Sequence, residues 1–456
     1  MTASTRSLMR LTRPATACLP MIAIVLNLMS FAAHASDDEG EYVGYLRVGA
    51  GVSQYGGPQN CYYLGNGNGH GYRLGNECDS YTEFGYSKTM AKSDDGVRFV
   101  GHIMVNHFSP NSAYSGNLQI TQIFVDVKDL SWLNGGTAWM GERYYERPDI
   151  HSMDLQYINL NGTGGGFDSI NTALGGKFSY ALFKDNDTNN FVGTAFTSSE
   201  SAIRNNLLYR ELPVNPGGKL DLIFGLITPS SPSHRYGGFN AHLFHNQEIL
   251  GGNNTFGIQY GVGPGTGRGA PAAFDPTKPY LAFGSAGVGP DAVGSNRMGQ
   301  SGSTLLGGGD TRLRVFDALL IQPTRDFSMS FDLMFQADKS PVYGKGTSNW
   351  ESFGVRPEYA FTQHFKLQGE VGVDHVTYPG AASESLMKYT IAPTLTLGPG
   401  YYDRPELRLF VTHANWNSAA GNTVNANNAG GTSIGTVKSS TSIGIQLEAF
   451  WGKNWF

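Results

Sequence analysis

The sequence predicts an all-β protein made of many short strands, and three observations support this fold class. First, 61 of the 456 residues are glycine and only 15 % are charged, whereas an average soluble domain has about 7 % glycine and about 25 % charged residues. Second, stretches of alternating apolar and polar side chains recur along the chain, as in half-buried strands. Third, tight turns alternate with long glycine-rich connections. The aromatic content of 12 % excludes a disordered chain.

The N-terminus has the three parts of a secretory signal peptide. Three arginines precede an apolar run over residues 21–31, and an A-x-A pattern follows at residues 33–35. The apolar run is too short for a membrane-spanning helix, which needs about 20 residues. We therefore expect residues 1–35 to be removed on export and residues 36–456 to form the mature domain. The net charge, which is −5 for the whole chain, disfavours nucleic acid as a partner.

Two cysteines remain once Cys18 is removed with the signal segment. In an exported chain, Cys61 and Cys78 are expected to form a disulfide, and closing so short a loop contributes roughly 3 kcal/mol to stability. A zinc pair is the alternative, but there is no C-x-x-C spacing and no nearby histidine doublet. We expect no metal and no other cofactor.

Alternation of apolar and polar residues marks the strands. Tyr45 and Arg47 share one face of a strand, and Leu46 and Val48 share the other. Because side chains in a strand alternate between two faces, one face of each strand is predicted to be apolar. A soluble β-sandwich would give the same pattern. The pattern predicts strands at residues 45–50, 219–226, 328–336 and 365–374.

Three further features favour a transmembrane β-barrel over a sandwich. Tight turns such as residues 215–218 alternate with long connections at residues 251–271, 284–309 and 415–438, which is the asymmetry of an outer-membrane barrel. Aromatic residues cluster at strand ends, as an interfacial girdle requires. The chain also ends in Phe456, and a terminal aromatic residue is typical of such barrels. A barrel explains the low charge, since half of each strand faces lipid.

Motifs for common enzyme chemistry are missing. The glycines at residues 263–269 are not followed by a helical pattern and lack the Lys-Ser/Thr of a phosphate loop. There is no H-E-x-x-H and no G-x-S-x-G pattern. A Ser/His or Asp/His site assembled across strands stays possible, because such sites are defined by geometry and not by sequence order. The sequence therefore predicts a protein that is not an enzyme.

Several short motifs occur in a fixed order along the expected mature domain. They are residues 44–49, 72–78 with Tyr81 and Glu83, 139–151 with Asp154, 214–218, 354–359, 403–408 and 446–451. Together they resemble the maltoporin family over nearly the whole mature chain. The resemblance implies an 18-stranded antiparallel barrel. It also implies a homotrimer in the bacterial outer membrane, in contact with lipid, that passes oligosaccharides by facilitated diffusion.

The resemblance further implies a file of aromatic residues along which the sugar slides. A pyranose has an apolar C–H face that stacks on aromatic rings and a rim of hydroxyls that must replace their water partners. One aromatic residue comes from the second loop of a neighbouring subunit in this family, and Phe108 and Tyr114 are the candidates. The positions that match the other residues of the file are Tyr45, Tyr81, Phe256, Tyr402 and Phe450.

Polar residues opposite the file are implied by the same resemblance. A loop that folds inward forms a constriction, where Gln156 and Asn159 replace a tyrosine and an aspartate of the family, and Tyr157 is adjacent. The constriction is therefore expected to be smaller and less charged. The positions that match the polar track are Arg47, Arg73, Glu83, Arg147, His151 and Asp154.

Other functions remain consistent with the sequence. A general diffusion porin would use the same barrel without an aromatic file, and Tyr45 and Tyr81 would then be interfacial or packing residues. A barrel hydrolase or a soluble lectin-like sandwich would not form a channel. The favoured hypothesis is a channel for maltodextrins or other oligosaccharides.

Overall fold

The computed structural model describes residues 40–64, 71–109, 117–185, 202–230, 235–268, 298–341, 346–421, 424 and 437–452. The expected signal segment, Tyr114 and Phe456 lie outside these residues. Within the described ranges, no helix is both long enough and apolar enough to cross a membrane.

The chain forms strands throughout its described length. They are β1 (Glu41–Ser53), β2 (Ser80–Lys92), β3 (Arg98–Ser109), β4 (Asn117–Lys128), β5 (Thr137–Arg143), β6 (Asp149–Ile150), β7 (Leu155–Gln156), β8 (Gly162–Asn171), β9 (Lys177–Asp185), β10 (Ala202–Asn215), β11 (Gly218–Pro229), β12 (Gly238–Ile249), β13 (Gly252–Val262), β14 (Thr311–Ile321), β15 (Phe327–Ser340), β16 (Gly346–Thr362), β17 (Phe365–Thr377), β18 (Glu384–Thr396), β19 (Glu406–Trp416) and β20 (Ser439–Trp451).

These strands close into one antiparallel barrel. Eighteen of them form a single sheet in which each strand pairs with the next, while β6 and β7 form a separate small hairpin. The first and last strands close the sheet, with Tyr45 opposite Phe450 and Arg47 opposite Glu448. The predicted 18-stranded antiparallel barrel is confirmed, and the sandwich is excluded because the sheet has no open edge.

Apolar residues cover the outside of the barrel and polar residues line its inside. On β19, Leu407 and Leu409 are exposed on the outer face, whereas Glu406 and Arg408 are buried on the inner face. This arrangement is the reverse of that in a water-soluble protein. It places the apolar face of each strand where lipid is its natural solvent.

The two ends of the barrel differ. The longest connections, residues 54–79, 144–161, 263–310 and 417–438, all join strands at the same end of the barrel, which we name the loop end. The other end, named the turn end, has tight turns such as Leu250–Gly251. Both residues of that turn have positive φ, 45° and 74°, which matches the right-handed twist of paired strands.

The first long connection, residues 54–79, docks against the inner wall. The expected disulfide between Cys61 and Cys78 is present, with a Cα–Cα distance of 6.0 Å. The buried ring of Tyr72 lies over Gly354 and Gly372, which are paired across β16 and β17. A methyl group at either glycine would overlap the ring. Glycine is therefore needed at both positions for this loop to reach the wall.

The connection between β5 and β8, residues 144–161, crosses the barrel interior, and we name it the inward loop. The carbonyl of Tyr157 accepts hydrogen bonds from Gln259 at 2.8 Å and from Arg314 at 3.3 Å. On the neighbouring wall, Arg204 donates to the carbonyl of Asn161 at 2.9 Å. Buried wall side chains thus satisfy loop carbonyls that would otherwise lack partners, and they fix the loop inside the barrel.

Candidate functional site

Aromatic side chains on neighbouring strands form a row on the inner wall. The ring centroids of Tyr45 on β1 and Tyr81 on β2 are 6.1 Å apart, and Tyr81 is 6.4 Å from Phe108 on β3. On the other side, Tyr45 lies directly opposite Phe450 on β20. Phe108 is at the loop end of its strand and Phe450 is at the turn end. The row therefore descends along the wall from one end of the barrel toward the other.

Tyr402 extends the row at the turn end. It lies in the turn between β18 and β19, with its ring 5.6 Å from that of His151 on the inward loop. In the same turn, the guanidinium of Arg404 is 5.6 Å from the centre of the Phe450 ring. We define the aromatic row as Phe108, Tyr81, Tyr45, Phe450 and Tyr402.

The row leaves apolar surface open to the interior. Phe108 is 43 % exposed, Phe450 is 38 % exposed and Tyr402 is 51 % exposed. Most other inward side chains of the described strands are polar and buried. An aromatic ring that faces water inside a polar cavity is free to bind the apolar face of a ligand.

Phe256 does not join the row, contrary to the expectation from the family resemblance. The neighbouring Gly257 faces the buried ring of Phe316, and Gln259 bonds to the inward loop. Both residues therefore lie on the inner face of β13. Since side chains alternate along a strand, Phe256 lies on the outer face with Ile258.

Charged side chains run beside the row, and Arg47 is central to them. Its guanidinium lies 2.6 Å from a carboxylate oxygen of Asp79, 2.9 Å from Asp154 and 3.0 Å from Glu77. It also lies 5.7 Å from the ring centre of Tyr81. Arg47 thus connects the first loop, the inward loop and the aromatic row.

Arg73 holds Tyr45 in position. It donates to the Tyr45 hydroxyl at 2.6 Å, and this hydroxyl donates to Glu448 at 3.0 Å. Arg73 itself also pairs with Glu448 at 3.0 Å and with Glu77 of its own loop. All three charged groups are nearly inaccessible to water, so the ring of Tyr45 is fixed by a buried network.

His151 links the inward loop to this network. One ring nitrogen lies 3.3 Å from Arg73 and the other lies 3.0 Å from Arg404. Burial lowers the pKa of His151 well below its usual value, and the two guanidiniums act in the same direction against the carboxylate of Glu448. The imidazole is therefore neutral at pH 7.

Glu83 and Arg147 form a second link between wall and loop. Arg147 donates to both carboxylate oxygens of Glu83, at 3.1 and 3.3 Å. The hydroxyl of Tyr81 donates to the same carboxylate. Arg147 also stacks over Tyr144, 3.8 Å from the ring centre. The expected polar-track residues Arg47, Arg73, Glu83, Arg147, His151 and Asp154 are thus brought together beside the row.

The tip of the inward loop presents carboxylates and an amide. Asp149 lies opposite Gln156 in the small hairpin, and Gln156 accepts a hydrogen bond from Asn159 at 2.6 Å. The Asp149 side chain is 43 % exposed. Desolvation of the carboxyl group by the surrounding protein, together with the negative charge of Asp154, raises the pKa of Asp149 to about 6. The tip keeps charge through Asp149 and Asp154 although Gln156 is neutral.

Tyr157 does not supply an aromatic residue to the constriction. Its buried ring packs against the wall, 5.0 Å from Phe244 and 4.8 Å from Phe316. It anchors the loop through apolar contact, whereas Gln156 remains partly accessible and bonds to Asn159.

Several charged residues of the site were missed in the sequence. Arg404 and Arg408 both pair with Glu448, at 2.9 and 2.6 Å, and Arg404 also pairs with Glu406 at 3.0 Å. Arg404, Glu406 and Arg408 follow one another at every second position of the motif at 403–408, which indicates one strand face. That signal, with Glu448 and Phe450 alternating in β20, could have identified them as inward.

Three solved outer-membrane proteins are among the structures similar to this chain. OmpT, an outer membrane protein of Vibrio cholerae, has 11 % identity and a TM-score of 0.44, with 92 % of this chain and 99 % of that chain covered. OccAB4 of Acinetobacter baumannii has 8 % identity and a TM-score of 0.47, with 92 % of this chain and 99 % of that chain covered. OccK1 of Pseudomonas aeruginosa has 11 % identity and a TM-score of 0.45, with 91 % of this chain and 99 % of that chain covered.

The family comparison covers almost the whole barrel. The profile of the LamB porin family matches residues 41–451, which span β1 to β20. An apolar outer face, a polar interior and an inward loop are the features of a channel that crosses the outer membrane. The chain therefore belongs to the LamB porin family and is an outer-membrane porin.

Proposed function

We propose that this porin passes oligosaccharides, such as maltodextrins, by facilitated diffusion along the aromatic row. The observation that carries the proposal is the descent of the row from the loop end toward the turn end, with exposed rings at both ends. A sugar whose C–H face stacks on one ring can pass to the next without returning fully to water. Sites of similar, weak affinity let a substrate both bind and leave.

The charged side chains beside the row would exchange hydrogen bonds with the sugar hydroxyls. Arg47 and Arg147 offer several N–H donors, and the carboxylates of Asp149 and Asp154 offer acceptors. Arg73 and His151 act through Tyr45 and the inward loop, because their side chains are only 4 % and 11 % exposed and Arg73 donates to the Tyr45 hydroxyl. The residues proposed to contact the sugar are Tyr45, Tyr81, Phe450, Tyr402, Arg47, Arg147, Asp154 and Gln156. The residues proposed to position them are Arg73, Glu83 and His151.

We also propose that the protein assembles as a homotrimer, as the resemblance to the maltoporin family implies. Each barrel would then be a separate channel, since the aromatic row and its charged neighbours belong to one chain. The residues at positions 1–35 are proposed to be the cleaved signal peptide.

Conductance in a planar bilayer tests sugar selectivity. Maltotriose and sucrose are expected to block the ion current saturably. One ring contact is worth about 0.5–1.5 kcal/mol, so Tyr402→Ala should raise the half-blocking concentration about two- to tenfold. The matched control is Tyr359→Ala, since Tyr359 is an exposed tyrosine on the outer face of β16. Current that no sugar blocks would refute the proposal and favour a general diffusion porin.

A further inference from the structure

We infer that the channel prefers oligosaccharides that carry ammonium groups, such as oligomers of glucosamine, over those that carry carboxylates, and that Asp149 sets this preference. Asp149 lies at the tip of the inward loop, in the small hairpin of β6 and β7. The inference rests on the proposed function and deepens it, because it names the charge class of sugar that the same path favours.

The guanidiniums beside the path are already neutralised by the protein. Arg47 lies within 3.0 Å of three different carboxylates, and Arg147 donates to both oxygens of Glu83. The two arginine side chains are only 15 % and 14 % exposed. A sugar carboxylate would have to compete with a protein carboxylate for either arginine, and it would add a like charge beside that carboxylate.

Asp149 has no such partner. In the part of the chain that the structure describes, the basic side chain that comes within 4.0 Å of its carboxylate is that of His151. This imidazole is neutral, because burial lowers the pKa of His151 well below its usual value. The other carboxylate of the tip, Asp154, is paired with Arg47 at 2.9 Å. Asp149 therefore presents a negative charge that no neighbouring arginine or lysine offsets by direct contact.

The carboxylate of Asp149 is also within reach of a substrate. Its side chain is 43 % exposed. Desolvation and the negative charge of Asp154 raise its pKa to about 6, so the group is ionised at pH 7 although its surroundings disfavour the charge. An ammonium group on a ligand would stabilise that charge, whereas a second carboxylate would disfavour it further.

An exposed aromatic face near Asp149 points to the same ligand chemistry. His151 contacts both groups: one of its ring nitrogens is 4.0 Å from the Asp149 carboxylate, and its ring centre is 5.6 Å from that of Tyr402. Tyr402 is 51 % exposed. The face of a tyrosine attracts a cation as well as the C–H face of a sugar. The carboxylate and the ring therefore both favour an amino sugar over an acidic one.

Block of the ion current by two trimers that differ in charge tests the inference. The trimer of glucosamine is cationic, and the trimer of N-acetylglucosamine has the same linkage without the charge. At pH 7, Asp149→Asn should raise the half-blocking concentration of the glucosamine trimer about three- to tenfold, between the effect of an exposed ion pair and that of a charged hydrogen bond. The values for the acetylated trimer and for maltotriose should change less than about twofold.

Two further measurements depend on the sign and the range of the charge effect. The half-blocking concentration of a galacturonate trimer, which is anionic, should fall in Asp149→Asn. The difference between the two glucosamine-based trimers should shrink when the salt is raised from about 0.1 M to about 1 M, because the screening length falls from about 10 Å to about 3 Å.

Asp129→Asn is the matched control, since it makes the same substitution and the same change in net charge. Asp129 lies in the turn between β4 and β5, where its side chain is 49 % exposed and pairs with Arg98. Its φ of 66° is one that asparagine also adopts. This variant should leave block by every sugar unchanged, and the folded gel band shows that both variants have folded.

The outcomes separate this inference from the proposed function. If Asp149→Asn weakens block by the glucosamine trimer and by maltotriose equally, or weakens neither, the inference is overturned and the proposed function stands. If maltotriose and sucrose both fail to block the wild type, the proposed function itself fails, whatever the glucosamine trimer does.

Discussion

Replacing Tyr45 with phenylalanine removes one hydroxyl and leaves the ring in place. The hydroxyl accepts from Arg73 at 2.6 Å and donates to Glu448 at 3.0 Å. A hydrogen bond to a charged group contributes about 1.5–3 kcal/mol. Arg73 and Glu448 also pair directly at 3.0 Å, so neither charge loses all its partners. We therefore expect Tyr45→Phe to destabilise the barrel by the lower figure, about 1.5 kcal/mol.

The effect on sugar binding should differ from the effect on stability. Stacking depends on the ring, which Tyr45→Phe keeps, so the half-blocking concentration of maltotriose should change less than about twofold. Tyr45→Ala loses ring and hydroxyl and should raise it about two- to tenfold.

Two measurements on the same preparations check this pair of variants. Bilayer conductance gives sugar affinity, and the temperature at which the folded gel band disappears gives stability. Both variants should lose that band at a lower temperature than the wild type. Equal weakening of sugar block by Tyr45→Phe and Tyr45→Ala would refute the reasoning, because the hydroxyl and not the ring would then bind the sugar.

Two further predictions concern the loops inside the barrel. Because the pKa of Asp149 is raised to about 6, its carboxylate is charged at pH 7 and mostly neutral at pH 5. The zero-current potential in a KCl gradient should therefore show a weaker preference for cations at pH 5 than at pH 7. Asp149→Asn should remove the part of this change that comes from Asp149. Gly372→Ala overlaps the Tyr72 ring and should shift the first loop, raising sugar-free conductance and weakening sugar block. Gly369→Ala, where a methyl group fits at 3.7 Å from its nearest neighbour, should leave both unchanged; equal effects of the two glycine variants would contradict the docking argument.

The barrel could be predicted because each strand carries its own signal. In β19, exposed Leu407 and Leu409 alternate with buried Glu406 and Arg408, and this pattern needs no knowledge of distant residues. The choice between barrel and sandwich needed the asymmetry of the connections as well.

The error at Phe256 has a physical reason. Phe256, Ile258 and Tyr260 share one face of β13, and Gly257 and Gln259 share the other. The local alternation therefore already favoured the outer face for Phe256. The match to a family position implies the inner face for Phe256, but the alternation along β13 places it on the outer face.

Phe108 and the buried charges were harder to predict. Phe108 is an apolar residue on a polar face, so it breaks the alternation that identifies faces. The contact between Tyr45 and Glu448 joins residues 403 positions apart, and it depends on the register in which the first strand meets the last. Sequence patterns within one strand contain no information about that register.

The pairing of β1 with β20 completes the aromatic row only when the barrel closes. Tyr45 and Arg47 lie on the first strand, whereas Glu448 and Phe450 lie on the last strand. Until the two strands pair, the Tyr45 hydroxyl lacks its acceptor, Glu448. A closure that slipped by two residues would keep every side chain on its proper face, yet place Gln446 or Phe450 opposite Arg47. The hydrogen bond from Tyr45 to Glu448 therefore favours the one register that also completes the aromatic row, so barrel closure and the geometry of the row depend on the same few side chains.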